Sequence, residues 1–216
     1  LDGRSLSRRG FTLIELLLAV GLSALMVGVV MGTFVAIRKG VNEGLVRHEA
    51  ESEGVLITKR VMLDLESAYL GNPMLPDRFY FEGKVSGALW QTVRLSFVSA
   101  SAGEGEKLKG ISDLGRVSYR LLPSGKREGY YNLYRDVAPL GSSVRIRKEM
   151  ISDRIAAFRV VYEDRNSRFS RRWDSRADQW ANRLPRLIRI ELVLWDAQGK
   201  RHTFRSDAHP MQDWMD

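Results

Sequence analysis

The stretch RRGFTLIELLLAVG, residues 8–21, sets two arginines and a glycine ahead of a long apolar run, and places a carboxylate, Glu15, just inside that run. From Phe11 to Ile37 the chain is almost wholly apolar, broken chiefly by Glu15, Ser23 and the glycines. As a helix rising about 1.5 Å per residue the run is about 40 Å long, enough to cross a hydrocarbon core of about 30 Å. It exceeds the ~7–15-residue apolar region of a removable secretory signal, and no clear small-x-small cleavage site follows it. The run is therefore expected to stay with the protein as an anchor. Arg4, Arg8 and Arg9 precede it and Arg38 and Lys39 close it, which biases the N-terminus only slightly toward the cytoplasmic side.

Glu15 is the residue that needs a reason. A carboxylate at the centre of a membrane helix costs on the order of 2.5–3.5 kcal/mol, and less near the interface. No Lys, Arg or His lies between Phe11 and Ile37, so an ionic partner must come from elsewhere. A cut after Gly10 would make Phe11 the N-terminus, with its amine about 6 Å along the helix axis from Glu15. Within one chain the helix N-terminus already favours the acid. Between chains stacked with an axial offset, the acid of one would meet the amine of the next.

The run RRGFTLIELLLAVGLSALMVGVV resembles the class III signal of type IV pilins and type II secretion pseudopilins: a short basic leader, Gly10 before the cut, Phe11, then Thr12-Leu13-Ile14-Glu15 and a hydrophobic helix. The resemblance implies cleavage between Gly10 and Phe11 by a prepilin peptidase on the cytoplasmic face. It also implies methylation of the new Phe11 amine, and a role for Glu15 in assembly.

Beyond the anchor, residues 41–70 lack proline, and Leu45, Val55, Met62, Leu65 and Tyr69 fall near a 3.6-residue period. This predicts an amphipathic continuation of the helix, ended by Gly71-Asn72-Pro73. Gly28, Gly32, Gly40 and Gly44 lower helix propensity by about 1 kcal/mol each relative to Ala, and would serve close packing, local melting or plain flexibility. From Pro76 the pattern turns to short runs rich in Val, Tyr, Phe and Leu: RFYFEG, QTVRLSFVSA, RVSYRLL, YYNLYRDV, IAAFRVVYED, RLIRIELVLWD and KRHTFRSD. PSGKREG and AQG read as hairpin connections. SASAGEGEKLKG, residues 99–110, reads as a small, polar loop. In RLIRIELVLW, Leu187, Ile188, Ile190, Leu192 and Leu194 mix alternation with a continuous apolar stretch, so this strand is expected to be buried on both faces.

The segments VSYRLL, NLYRDV, ISDRIAAFRVVYED, RRWDS and LPRLIRIELVLWDAQGKRHTFR resemble, in that order, the minor pseudopilin J family of type II secretion. The minor pilin W type shares the leader and parts of the β domain. The resemblance implies an α+β, pilin-like fold in which a long N-terminal helix packs on two antiparallel β-sheets. The chain then divides into a leader (1–10), a transmembrane and assembly helix (11–37), its amphipathic continuation (38–72) and a periplasmic β domain (73–216). It also implies a subunit of the pseudopilus tip at the bacterial inner membrane, with pseudopilins I and K, and an H type, as partners.

The chain of 216 residues has no cysteine, which excludes disulfides, thiol nucleophiles and thiolate metal sites. His48, His202 and His209 are the only histidines, and no H-E-x-x-H, G-x-S-x-G or phosphate-loop motif is present, so no enzyme and no cofactor are expected. EDRNSR and WDSRADQW hold oxygen ligands but lack calcium-loop spacing, so no metal is expected. The net charge of +8 suits solubility as well as anionic partners. The alternative function rests on residues 165–186, RNSRFSRRWDSRADQWANRLPR, where Arg165, Arg168, Arg171, Arg172, Arg176 and Arg183 alternate with Phe169, Trp173 and Trp180. Such a mixture suits single-stranded nucleic acid, as in a competence or type IV minor pilin. Arg and Trp also dominate protein–protein hot spots, and Asp174 and Asp178 dilute the positive field. Arg171, Arg172, Trp173 and Trp180 are therefore expected to bind a protein partner, with nucleic acid the lesser reading.

Overall fold

A computed structural model describes residues 12–71, 75, 77–86, 91–100, 114–140 and 147–211. Helix α1 runs from Leu13 to Glu66. The chain forms two compact units, residues 1–45 and 46–216.

In the first unit the helix has the length and apolar composition to cross a membrane. Its large side chains, among them Leu16, Leu25, Val30 and Phe34, are exposed along its surface. Its start is built by Thr12 and Glu15. The Glu15 Oε2 accepts from the Thr12 backbone N–H at 3.1 Å and from the Thr12 hydroxyl at 2.9 Å, and the Thr12 Oγ1 accepts from the Glu15 N–H at 3.4 Å. The sequence Thr-Leu-Ile-Glu is thus a reciprocal capping box, with amides at the open end of the helix satisfied by side chains.

In the second unit the helix buries Ala50, Gly54, Ile57, Thr58, Val61, Asp64 and Leu65. This is not the stripe that the large apolar residues predict. Leu45 lies in the first unit and is 64% exposed, Val55 is 56% exposed and Tyr69 is 40% exposed; Leu65 is buried and Met62 partly so. The buried face instead sets the small Ala50 and Gly54 beside Ile57, Val61 and Leu65. A Cβ on Gly54 would lie 2.1 Å from the Phe204 ring, so the ring occupies the space a side chain would fill. The helix also stops at Glu66, short of the predicted Gly-Asn-Pro signal. Ala68 and Tyr69 form β1, paired with Ser99 and Val98. Strand pairing takes the backbone groups that another helical turn would have used.

The strands are β2 (Glu82–Ser86), β3 (Gln91–Ser99), β4 (Gly115–Pro123), β5 (Tyr131–Pro139), β6 (Arg147–Glu163), β7 (Phe169–Ser170), β8 (Trp173–Asp174), β9 (Leu187–Trp195) and β10 (Arg201–Ala208). Every pairing is antiparallel. The order is β10-β9-β6-β5-β4-β3-β2-β8, with β1 on β3 and β7 on β6. The two expected sheets are therefore one hydrogen-bonded path. The cause is β6, whose 17 residues pair with β5 from Arg147 to Ile155 and with β9 from Ile155 to Glu163. Where β5 leaves its edge, side chains of β3 take over: Gln91 Oε1 accepts from the Phe158 N–H at 3.2 Å and Thr92 Oγ1 from the Val160 N–H at 2.9 Å. The β4–β5 and β9–β10 hairpins turn at Gly129 (φ 75°) and Gly199 (φ 77°), a backbone region that favours glycine. In β9, Leu192, Val193 and Leu194 are buried in succession.

The core joins Ile57, Val61 and Leu65 of the helix to Phe81, Phe97, Tyr119, Phe158 and Tyr162 of the sheet and its flanks. Phe81 stacks on Phe97 with centroids 5.5 Å apart and meets Tyr162 edge-on at 5.8 Å. A buried ion pair, Asp64 with Arg135, is set inside it. Asp64 is fully buried and receives two Arg135 bonds of 2.7 and 2.9 Å and the Tyr119 hydroxyl. Ser99 donates to the Asp64 carbonyl at 2.9 Å. Burial, and then the Asp64 charge, push the Tyr119 hydroxyl well above its ordinary pKa, so it remains a donor. The arrangement fixes one helical position against β3, β4 and β5 at once.

Candidate assembly surfaces

Gly10 and Phe11, the expected cleavage pair, lie outside the described residues. Next to them, the structure gives Glu15 a partner within its own chain, Thr12, which sequence reasoning had left out. The acid therefore shapes the helix start as well as carrying charge.

The segment 165–186 does not form one continuous surface. Trp173, expected at a partner interface, is 3% exposed and belongs to the core. Its ring stacks on Trp180 at 4.8 Å and lies against Tyr162 at 6.1 Å, and its Nε1 donates to the Arg183 carbonyl at 3.1 Å. The physical reason is its place on β8, which pairs with β2 and turns the indole inward. Trp180 follows in a short 3-10 turn, Asp178–Trp180, and is half-buried.

The exposed arginines part company here. Arg172 lines a pocket of about 490 Å³ with Lys84, Asp174 and the two tryptophans. Arg171 lines a cleft of about 240 Å³ on the β6–β9–β10 face with Arg159, Arg189, Glu191 and Arg205. Arg176 is engaged by acids, bonding Asp174 at 2.8 and 2.9 Å and also Glu82. Its guanidinium covers one face of Tyr80 at 4.2 Å while Arg116 lies 3.9 Å from the same ring. Burial lowers the Arg116 pKa from its ordinary value. A continuous phosphate-tracking stripe is not what these contacts build.

Arg171 lies between β7 and β8, and the other cleft arginines come from three paired strands, β6, β9 and β10. Register aligns Arg159 with Glu191 and Glu191 with Arg205 across β6, β9 and β10. Glu191 accepts from Arg205 at 3.0 Å and also from Arg159. Burial acts to raise the Glu191 pKa, but these hydrogen bonds outweigh it and hold the carboxyl below its ordinary value. Beside this row, Arg189 meets Asp207 at 3.2 Å.

The histidines sit apart from this face. His48 and His209 are exposed, and His202 meets Asp196 at 2.9 Å in the β9–β10 turn. Among the described residues no three His, Asp or Glu side chains gather as metal ligands.

Against known families, residues 64–205 match the model of type II secretion system protein J, and residues 6–31 match the prokaryotic N-terminal methylation motif. The chain belongs to the type II secretion protein J family. As a member it is a minor pseudopilin of type II secretion, built as expected from a long N-terminal helix and an antiparallel β domain. Among solved structures 12 chains match. One is from the crystal structure of the GspK-GspI-GspJ complex of the enterotoxigenic Escherichia coli type 2 secretion system, at 15% identity and a TM-score of 0.45, covering 76% of this chain and 99% of that one. No curated protein matches.

For this protein J family member, sequence reading missed Asp64, Arg135 and Tyr119, and the cleft residues Arg159, Arg189, Glu191 and Arg205. The available signal was alternation: in RLIRIEL and RHTFRSD, Arg189 and Glu191, and Arg205 and Asp207, stand two apart and so share a strand face. Which of them become neighbours depends on strand order and register.

Proposed function

We propose that this minor pseudopilin is processed between Gly10 and Phe11 by a prepilin peptidase and N-methylated on Phe11. It is then held in the bacterial inner membrane by residues 11–37 with its β domain in the periplasm. From there it enters the pseudopilus tip with partners of the I and K types and an H type. Its role is that of a structural subunit without catalytic activity. Glu15 serves docking, its carboxylate meeting the amine of a neighbouring subunit while Thr12 holds the side chain in place. Arg171 and Arg172, exposed on two different faces, are the partner-facing residues of the 165–186 segment, with Trp180 supporting them and Trp173 acting as a core anchor.

The observation that carries this reading is the joint presence of the methylation motif at residues 6–31 and the protein J match at residues 64–205 in one chain. The test is mass spectrometry of the protein purified from membranes that contain an active prepilin peptidase, together with co-purification of other minor pseudopilins. An N-terminal methyl-phenylalanine and recovery of I- and K-type subunits are expected. An intact leader, or a mature chain that recovers no other pseudopilin, would overturn the reading.

A further inference from the structure

We propose that the joined tips of the β4–β5 and β9–β10 hairpins form a docking surface for an anionic lipid bilayer, with Lys126, Arg127, Lys200 and Arg201 as its cations. The inference rests on the reading of residues 11–37 as a membrane anchor and adds a second point of contact with the same membrane.

The two turns are distant in sequence and are locked together by their aromatic residues. Tyr130 stacks on Trp195 with centroids 5.4 Å apart, and the Trp195 Nε1 donates to the Gly129 carbonyl at 3.1 Å. The Arg127 guanidinium lies 5.4 Å from the Tyr130 ring and that of Arg201 lies 4.5 Å from the Trp195 ring. Lys126 and Lys200 stand beside them in the turns, and all four cations are exposed. Among the described residues none of the four has an acid as ion-pair partner. Asp196 is buried and is taken up by the Gln198 and Lys200 amides and by His202, which leaves Glu128 as the exposed acid of these turns.

The tips lie at the end where α1 enters the second unit. Arg154 bonds Glu49 at 3.0 Å and also Glu53. Its neighbour Ile155 stands opposite both Tyr131 and Leu194, which adjoin Tyr130 and Trp195 in the chain. From there β10 runs along the helix, with Phe204 against Gly54 and Ser206 against Met62. Glu49 follows Ile37, the last residue of the apolar run, by twelve residues. A bilayer that holds the run is tethered to this end by a short stretch of chain, which gives its headgroups a high effective concentration there.

Chemistry separates the bilayer from other anions. Single-stranded nucleic acid stacks its bases on open aromatic faces. Here Trp195 already carries Tyr130 and Arg201, and Tyr130 already carries Trp195 and Arg127. Protein carboxylates are recognised by a guanidinium fork, and both guanidiniums are engaged with rings. Lysine is a compact charge on a flexible stem, suited to a diffuse negative surface, and each Lys or Arg near an anionic leaflet adds to the attraction. Trp and Tyr favour the headgroup level of a membrane.

The test uses the full chain in lipid discs with a dye on Gln198→Cys, a unique label because the chain has no cysteine. Quenching of the dye by a nitroxide on the lipid headgroup reads contact between the turn and the bilayer. Contact is expected in discs with about one-third phosphatidylglycerol and not in discs of phosphatidylcholine alone. It is expected to disappear as salt rises toward about 1 M, where the Debye length is about 3 Å. Lys126→Glu combined with Lys200→Glu spares both cation–π contacts and is expected to lower the docked-to-free ratio by about tenfold or more. Arg168→Glu combined with Arg183→Glu makes the same change of net charge at exposed positions between β6 and β9 and is expected to leave the ratio unchanged. Equal contact in both lipids, contact that persists at high salt, or equal loss in the two charge-reversed pairs would overturn the proposal. So would release of the turn from the anionic disc by a stoichiometric single-stranded oligonucleotide or acidic peptide. A chain that enters neither disc removes the anchor and this surface with it, whereas insertion without lipid-dependent contact leaves the anchor standing and removes only the surface.

Discussion

Glu15 combines two jobs that substitution can separate. Its carboxylate closes the capping box with Thr12 and carries charge near the start of an apolar helix. Gln at this position retains an oxygen acceptor for the Thr12 N–H and hydroxyl, whereas Leu loses both acceptor and charge. Glu15→Gln is therefore expected to insert and be processed with an intact helix start, yet to be recovered poorly with the other minor pseudopilins. Glu15→Leu also removes the acceptor of the Thr12 N–H and hydroxyl, so the first helical turn is expected to fray. Co-purification measures the first effect, and amide exchange over residues 12–16 measures the second. Equal assembly of Glu15→Gln and the native chain would assign the acid to capping alone. Asp64 is the opposite case, a charge wholly inside the fold. Asp64→Asn leaves the Arg135 guanidinium buried with its countercharge gone, which is expected to cost about 3–5 kcal/mol in thermal or denaturant unfolding. Asp64→Leu with Arg135→Met, which removes both charges, should be less damaging than either change alone.

At the scale of elements, β2 and β6 approach more closely than a side chain permits. A Cβ on Gly83 would lie 1.9 Å from the Tyr162 hydroxyl, and Tyr162 is fully buried. That hydroxyl has no hydrogen-bond partner among the described residues, and burial raises its pKa. Gly83→Ala is expected to destabilise by about 1–3 kcal/mol through overpacking. Tyr162→Phe, which removes the unsatisfied oxygen, should be neutral or stabilising alone and should recover part of the Gly83→Ala loss. Denaturant midpoints of the two single variants and the double variant measure this coupling; strictly additive effects would show that the two sites do not meet. The same packing logic assigns Trp173 to stability rather than to a partner: Trp173→Ala is expected to cost about 3–5 kcal/mol, with the Trp180 stack lost.

Over the whole molecule, the carboxyls of Asp174, Glu191 and Asp196 are all held below their ordinary values. Burial opposes this in each, and Arg176 for Asp174, Arg205 and Arg159 for Glu191, and His202 with backbone amides for Asp196, outweigh it. A depressed folded-state pKa stabilises the fold fully above the unfolded value, 4.5 for Glu and 3.8 for Asp, and that contribution disappears as pH falls through the folded value. Protonation also raises a net charge that is already +8 at pH 7. The melting temperature is therefore expected to change little between pH 7 and about pH 5 from these groups, and to fall below about pH 4. In Glu191→Gln the acid-side fall should be shallower. A melting temperature that rises on acidification would contradict the sign.

The local order of residues was enough to write the first half of this fold. A continuous apolar run needs no tertiary partner to declare itself a membrane-length helix, and Thr-x-x-Glu at its head is a contact between residues three apart. The longer strands β3, β4, β5, β9 and β10 and the glycine hairpins were legible for the same reason, since alternation and turn chemistry act over a few residues, whereas the two-residue strands β1, β7 and β8 were not. The buried face of α1 was not, because Ala50 and Gly54 carry little hydrophobic signal, and Gly54 is chosen by the ring of Phe204 that lies against it. Nor was the fusion of two expected sheets into one path, which depends on how far β6 outruns β5. Trp173 and Arg171 are two residues apart in sequence, yet one is buried in the core and the other lines a charged cleft. Strand order and register decide such neighbours, and they are set by cooperative packing of distant segments rather than by any short stretch of chain.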